Sequence, residues 1–399
     1  MSLPTPDRRL AAGILGSLTL LVIGWTGLLV PSLIRSIQAA FDQNDAGIGV
    51  VYLAYSIAYA IGSVIGGQLM ERMGRRRVLV SAAALHGIGI AGFGLAPSWP
   101  LFVAAMVPAG LGAGCLDGGS NGLVLDVYRE GRGRAMNLLH VSFSVGALLA
   151  PLVVGRAIEA GAAWQVVMLV SAVPLAGLTI AYAVVPMPSG RRERSAGPSP
   201  AATATTGRLL AGPLVLLGIA IASYVAAEIG VSNWLVRYLE PAPLATATLA
   251  LSLTWAGATV GRLLSSAISD RFDHLRFTIV CIVSMGLAIG AAVAAPSLPL
   301  SIALFTLAGV ASGPVFPMIV ALGGERYPER SAAVGGSLVG FAVVGSTIYP
   351  PAIGFLSVTV GLPIAMAGNA LLCLVGAAAL VAFGRTDGRA TDVRGARPA

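Results

Sequence analysis

Between Leu10 and Leu33 the chain runs for 24 residues without a charged side chain, and eleven further apolar stretches follow. They lie at about 46–70, 78–96, 100–126, 135–158, 164–185, 209–238, 244–269, 277–295, 299–326, 332–357 and 362–384. A helix rises about 1.5 Å per residue, so each stretch can cross a hydrocarbon core of about 30 Å. Composition agrees: 11% of residues are charged, against about 25% in a soluble domain. The first stretch is no signal peptide, since no small-residue cleavage site ends it and the chain stays apolar beyond it. The reading is an all-α membrane protein with twelve transmembrane helices.

The loops orient those helices. The chain has no lysine, and its 25 basic residues are all arginines. Of these, 21 fall in the two tails and in the loops after spans 2, 4, 6, 8 and 10. Cytoplasmic loops carry the basic excess, so even-numbered crossings return to the cytoplasm and both termini lie there, in a multi-pass plasma-membrane protein. The same pattern accounts for the net charge of +8 without nucleic acid. Arg35, Arg156, Arg237 and Arg262 stand outside it.

An internal repeat organises the spans. Adding 199 to a position in the first half carries Glu71-Arg72 to Asp270-Arg271, Ala96-Pro97-Ser98 to Ala295-Pro296-Ser297, Gly114 to Gly313, Asp126 to Glu325, and Gly146, Pro151 and Gly155 to Gly345, Pro350 and Gly354. The expected division is therefore a six-helix bundle at 1–186, a Pro/Ser/Ala/Thr/Arg-rich cytoplasmic linker at 187–208, and a second bundle at 209–399. Parallel repeats related by an axis along the membrane normal build transporters that hold solute at the midplane between the halves.

Polar residues inside the spans are the site candidates. Asp117 lies eleven residues before Tyr128, where the polar loop begins, hence about 16 Å deep by helical rise. An ionisable group at that depth is costly and marks function by default. A carboxyl removed from water favours its neutral form and one returned to water favours the ion, which is what a proton carrier needs. Asn121 shares its helix face one turn later. Glu228 is a second intramembrane acid, placed in the outer half of span 7, and Gly230, Ser232 and Asn233 after it weaken that helix, so a break is expected there. Flat aromatic faces and amides suit a polar solute, which adds Trp25, Tyr55, Tyr59, Asn137, His140, Asn233, Trp234 and Trp255 as substrate-binding candidates. Arg262, about 12 Å inside by helical rise, fits a cavity charge or an arginine snorkelling to the cytoplasm.

The string Gly67-x-Leu69-x-Glu71-Arg72-x-Gly74-Arg75-Arg76 after span 2 resembles the loop motif of the major facilitator superfamily, with Glu71 where that family has Asp. A degenerate copy, Ser266-x-Ile268-x-Asp270-Arg271-x-Asp273, follows span 8. The resemblance implies two six-helix bundles, transport by alternating access, and a conformational latch formed by Gly67, Glu71, Arg72, Gly74, Arg75, Asp270 and Arg271.

Two stretches resemble the fucose–proton symporter family: Leu116-Asp117-x-x-x-Asn121 with Asn137-Leu138-Leu139-His140, and Tyr224-Val225-Ala226-Ala227-Glu228-Ile229-Gly230 with Asn233-Trp234-Leu235-Val236-x-Tyr238. That resemblance implies proton coupling and substrate recognition at Asp117. The family's helix 1 acid is replaced here by Gly27, and Glu228 is the candidate substitute. The implied function is proton-coupled symport of a small polar solute, a sugar or sugar-like compound.

An alternative stays open. Gly146-x-x-x-Ala150-Pro151-x-x-x-Gly155 resembles the antiporter motif of proton-driven exporters of drugs or metabolites. A transport-dead sensor is a third reading. Neither a H-E-x-x-H site nor a nucleotide-binding G-x-x-x-x-G-K-[ST] loop occurs, and an enzyme is not expected. With only Cys115, Cys281 and Cys373 and three histidines, no metal, disulfide or cofactor is expected beyond the proton as coupling ion. The expected partners are the solute, protons and the bilayer, with the chain acting as a monomer.

Overall fold

The computed structural model describes residues 6–128, 132–186 and 212–395. Among them, twelve helical spans are long and apolar enough to cross a membrane. The helices are α1 (Pro6–Gly27), α2 (Leu29–Phe41), α3 (Asp45–Met73), α4 (Arg75–Leu95), α5 (Trp99–Val127), α6 (Arg132–Glu159), α7 (Trp164–Val184), α8 (Pro213–Tyr238), α9 (Leu244–Ile268), α10 (His274–Val293), α11 (Leu298–Ser312), α12 (Val315–Arg326), α13 (Ser331–Val360) and α14 (Leu362–Gly395). The linker expected at 187–208 lies outside the described residues.

Helices dominate because lipid offers the backbone no hydrogen-bond partner, so each segment bonds to itself. The two interruptions follow proline. Pro31 lacks an amide hydrogen and its ring clashes with the carbonyl four residues back, at Gly27, where α1 ends and Leu28 separates it from α2. The first span therefore runs to Phe41, eight residues beyond the boundary read from hydropathy. Pro314 and Pro317 act the same way on span 10, which splits between Ser312 and Val315.

The break expected after Glu228 is absent, since α8 continues through Gly230, Ser232 and Asn233 to Tyr238. A helical glycine costs only about 1 kcal/mol, far less than unsatisfied backbone in lipid, and Gly230 lets the Asn369 side chain of α14 approach closely. The charged turn expected at 71–77 is likewise reduced to a single residue. Gly74, at φ +87°, separates α3 from α4.

By compactness the chain forms two units, Met1–Arg192 with Ser232–Trp255 and Gly354–Thr359, and Glu193–Val231 with Ala256–Ile353 and Val360–Ala399. In the first, α3 lies along α5, α4 against α5 and α7, and α1 against α6. Phe41 joins Trp99, Phe102 and Trp164 in an aromatic cluster, with ring centroids 5.4–5.9 Å from its own. In the second unit, α10 packs against α11 and α14.

Small residues let these helices touch backbone to backbone. A Cβ on Gly62 would meet the Leu111 carbonyl, and one on Gly114 the Tyr59 carbonyl. In the second unit a Cβ on Gly261 would meet the Val310 carbonyl, and one on Gly313 the Ala258 carbonyl. Each residue of the second set lies 199 positions after its counterpart, so the sequence repeat is also a repeat of packing. Gly62→Val is expected to lower the melting temperature of the detergent-solubilised protein by several degrees, whereas Gly177→Val, at a glycine with open space around it, leaves it within about a degree. Equal melting curves for the two variants would refute this packing account.

Candidate functional site

The geometry is richest around the two intramembrane acids. Asn121 Nδ2 donates to Asp117 Oδ1 at 2.9 Å and to the Asp117 carbonyl at 3.0 Å. The opposite carboxyl oxygen, Oδ2, accepts from the Tyr59 hydroxyl of α3 at 2.5 Å. Tyr55, one turn earlier on α3, stacks on Tyr59 with centroids 6.3 Å apart. The structure thus gathers four predicted residues, Asp117, Asn121, Tyr55 and Tyr59, on the facing sides of α3 and α5. Asn121 Oδ1 is buried without a hydrogen-bond partner, which leaves an acceptor for a solute hydroxyl or a water.

This arrangement favours one place for a proton. Asn121 Nδ2 can only donate, whereas a phenol can donate or accept. Protonation at Oδ2 lets Tyr59 become the acceptor and keeps the Asn121 bond intact.

Glu228 lies in the second unit. Its Oε1 accepts from Tyr224 at 2.6 Å and from Ser312 at 3.3 Å, and Arg262 Nη2 stands 3.8 Å from the same oxygen. Arg262 is therefore an ion-pair partner of Glu228. Ser312 is the last residue of α11, at the proline-induced break.

The remaining substrate-binding candidates are dispersed. Trp25 donates its indole hydrogen to Ser171 at 3.0 Å. Trp255 is 3% exposed and edge-on to Phe143. Trp234 is wholly buried with its ring edge-on to Tyr52, so it offers no face to a solute here, contrary to the sequence reading. The Asn233 carbonyl accepts from Tyr52 at 2.9 Å. His140 is exposed on α6, and the Asn137 side chain lies outside the described residues.

In the latch string, Glu71 and Arg72 are exposed at the end of α3, and Gly67 has open space around it. Arg75 pairs with Asp126 at the end of α5, while Arg76 Nε donates to the Tyr182 carbonyl at 3.1 Å. The second copy has the matching pair, His274 Nδ1 with Glu325 Oε1 at 2.6 Å. The 199-residue offset carries Arg75 to His274 and Asp126 to Glu325. Arg271 closes a short 3-10 turn, Ser269–Arg271, and the Asp270 side chain is outside the described residues.

A further polar cluster was not anticipated. Asp45, 7% exposed, accepts from Arg237 Nε at 2.8 Å and Gln38 Nε2 at 2.8 Å through Oδ1, and from Ser357 at 3.0 Å through Oδ2. Beside it, the Arg35 guanidinium donates to the carbonyls of Val236, Leu239 and Ala242 at 2.5–3.0 Å. It supplies hydrogen bonds and positive charge to the C-terminal end of α8. The available signal was the arginine census, since Arg35, Arg237 and Arg262 are three of the four arginines outside the cytoplasmic pattern.

Comparison with known proteins then decides the family. The model of the Major Facilitator Superfamily matches residues 14–271 and 217–398. The chain belongs to the major facilitator superfamily. It is a transporter and not an enzyme, and its fold is the major facilitator fold of twelve transmembrane helices. It is 26% identical over 370 residues to the gentisate transporter of Corynebacterium glutamicum, covering 88% of this chain and 81% of that one. It is 26% identical over 363 residues to the cis,cis-muconate transport protein of Acinetobacter baylyi, covering 85% and 86%. Among solved structures, a D-xylose-proton symporter aligns with a TM-score of 0.78 at 17% identity, over 94% of this chain and 97% of that one. A bacterial homolog of the human lysosomal transporter Spinster aligns at 0.77 and 16%, over 97% and 98%.

Breaking a buried ion pair costs about 3–5 kcal/mol, and an exposed one about 0–1 kcal/mol. Asp45→Ala is therefore expected to lower the melting temperature clearly, somewhat less than full burial implies because Arg237 keeps 24% of its side chain exposed. Glu159→Ala, which removes the exposed Arg156–Glu159 pair, should leave it nearly unchanged. Thermal melts of both variants in one detergent check the contrast.

Proposed function

We propose that this chain is a proton-coupled symporter of a small organic acid, with Asp117 as the coupling carboxyl. The observation that carries the coupling is the Asp117 environment: a carboxyl inside a span, held by the hydroxyl of Tyr59 and the amide of Asn121. These neutral partners tolerate both protonation states, because the phenol can reverse its hydrogen bond. The substrate class rests on the two relatives aligned along more than four fifths of the chain, both named for carboxylates. They favour an acid over the sugar that the resemblance to fucose–proton symporters implies. The D-xylose-proton symporter shares the fold at 17% identity, which carries no substrate argument. In this reading the protein works as a monomer in the plasma membrane, with both termini cytoplasmic as the arginine-rich loops require. The arginine and acid string after α3 acts as its conformational latch.

Asp117→Asn retains size and hydrogen bonding while removing the titration. In proteoliposomes with an imposed pH gradient, the wild type is expected to accumulate radiolabelled gentisate or cis,cis-muconate and to make the external medium alkaline on substrate addition. Asp117→Asn is expected to fold normally and lose accumulation at least tenfold. Substrate-induced acidification in the wild type would identify the exporter reading, and wild-type proton movement in Asp117→Asn would overturn the role of this residue.

A further inference from the structure

The Asp45 cluster has no part in the coupling chemistry above, yet it joins stretches that the sequence repeat keeps apart. That repeat places residues 232–255 and 354–359 in the second half, whereas by compactness they group with 1–192. Each stretch lies at the end of a span: α8 ends at Tyr238, α9 begins at Leu244 and α13 ends at Val360. In the orientation proposed above, spans 1, 7 and 11 all end on the outer side. The second-half segments that join the first unit are therefore outer ends.

The contacts that hold them there are polar. Asp45, at the start of α3, takes Arg237 of α8 through Oδ1 at 2.8 Å and Ser357 of α13 through Oδ2 at 3.0 Å. One carboxylate thus ties two span ends at once. Arg35 of α2 binds the carbonyls of Val236, Leu239 and Ala242, and Tyr52 of α3 donates to the Asn233 carbonyl at 2.9 Å. Glycine brings the backbones close at the same joint, since a Cβ on Gly354 would meet the Asp45 carbonyl.

This joint differs from the glycine contacts within the first unit, where Gly62 and Gly114 meet carbonyls across α3 and α5 with no charge involved. A buried ion pair adds little stability over an apolar contact of the same shape, and its best-attested uses are registry and switching. Polar groups also suit a joint that opens. They exchange protein partners for water at small net cost, whereas an apolar joint would expose its face to water at every opening. Arg237 keeps 24% of its side chain exposed and also pairs with Glu240, so it retains a partner when Asp45 lets go. A carrier that alternates access must part its outer ends once in each cycle.

We propose that the Asp45 cluster is the lock of the outer gate. Arg237 and Ser357 on Asp45, with Arg35 on the end of α8, hold the outer ends of spans 7 and 11 against spans 1 and 2. Their release opens the solute path to the outside. This inference rests on the orientation proposed above and is independent of the substrate.

Distances between spin labels test it. Ala40, near the end of α2, and Thr359, near the end of α13, are both exposed. Ala40→Cys and Thr359→Cys carry the labels in a full-length chain whose Cys115, Cys281 and Cys373 are replaced by alanine. In lipid nanodiscs the chain with an intact cluster is expected to give mainly one short distance. Asp45→Asn and Arg237→Gln should each raise the fraction at longer distance at least about threefold, as expected when a charge-assisted hydrogen bond is lost from one of two states. Glu159→Ala, which removes the exposed pair at the end of α6, should leave the distribution unchanged. If a single variant does not fold, Asp45→Asn/Arg237→Gln, which leaves no buried charge unpaired, gives the same comparison. Unchanged distances in the folded variants, even with a lower melting temperature, would make the cluster structural and overturn the gate. A membrane-impermeant maleimide applied to intact cells reads the orientation separately, and labelling of Ala40→Cys is expected. Failure to label would overturn the orientation, and this inference with it.

Discussion

Lipid leaves the backbone without outside partners, and most of this structure follows from that constraint. It makes the spans helical, carries α8 unbroken through a glycine and two polar residues, and confines interruptions to places where proline has already removed a donor. It also governs how the helices meet. With little hydrophobic drive between helices in lipid, close contact comes from glycines that let one backbone touch the next. Gly62 and Gly114 serve α3 and α5 in this way, and Gly261 and Gly313 repeat the arrangement 199 residues later.

Charge within the spans is costly by the same physics, and the charged groups described there have polar partners. Arg35 ends a helix by binding its last carbonyls. Asp45 and Arg237 pair in a buried cluster with Gln38 and Ser357. Asp117 and Glu228 have hydroxyl partners that suit either protonation state, and only the Glu228 cluster includes a guanidinium. Glu228 also has a place in the internal repeat. Gly146 meets the Leu21 carbonyl and Gly345 the Ala222 carbonyl, so α8 follows α1 with an offset of 201, and Glu228 falls on the repeat position of Gly27, where the first span lacks an acid.

Much of this architecture was legible in the residues. Hydropathy located the twelve spans to within a few residues where no proline intervened, and the loop string identified the family. The pairing of Asp117 with Asn121 was readable because both lie on one helix, where the period alone brings positions i and i+4 together. The first span was read too short because Arg35 and Gln38 look like a loop by composition. Their polar groups are satisfied by partners about 200 residues away and by Asp45. Trp234 was read as a solute contact because its chemistry suits one, yet residue type does not reveal that Tyr52 covers its ring.

By itself, the sequence determined the class of fold, the internal repeat, the alternation of basic loops and the positions of the acids within the spans. These depend on composition, on helical period and on the energy of a group in lipid, all of which are local. Tertiary structure alone decided which partners reach each acid from other helices. Tyr59 reaches Asp117 from 58 residues away, Ser312 reaches Glu228 from 84, and Arg262 approaches Glu228 from a neighbouring helix. Such meetings depend on how each helix is rotated and how closely it approaches its neighbour. Those quantities are set by the packing of glycine faces and proline breaks across the whole bundle, and no single span encodes them.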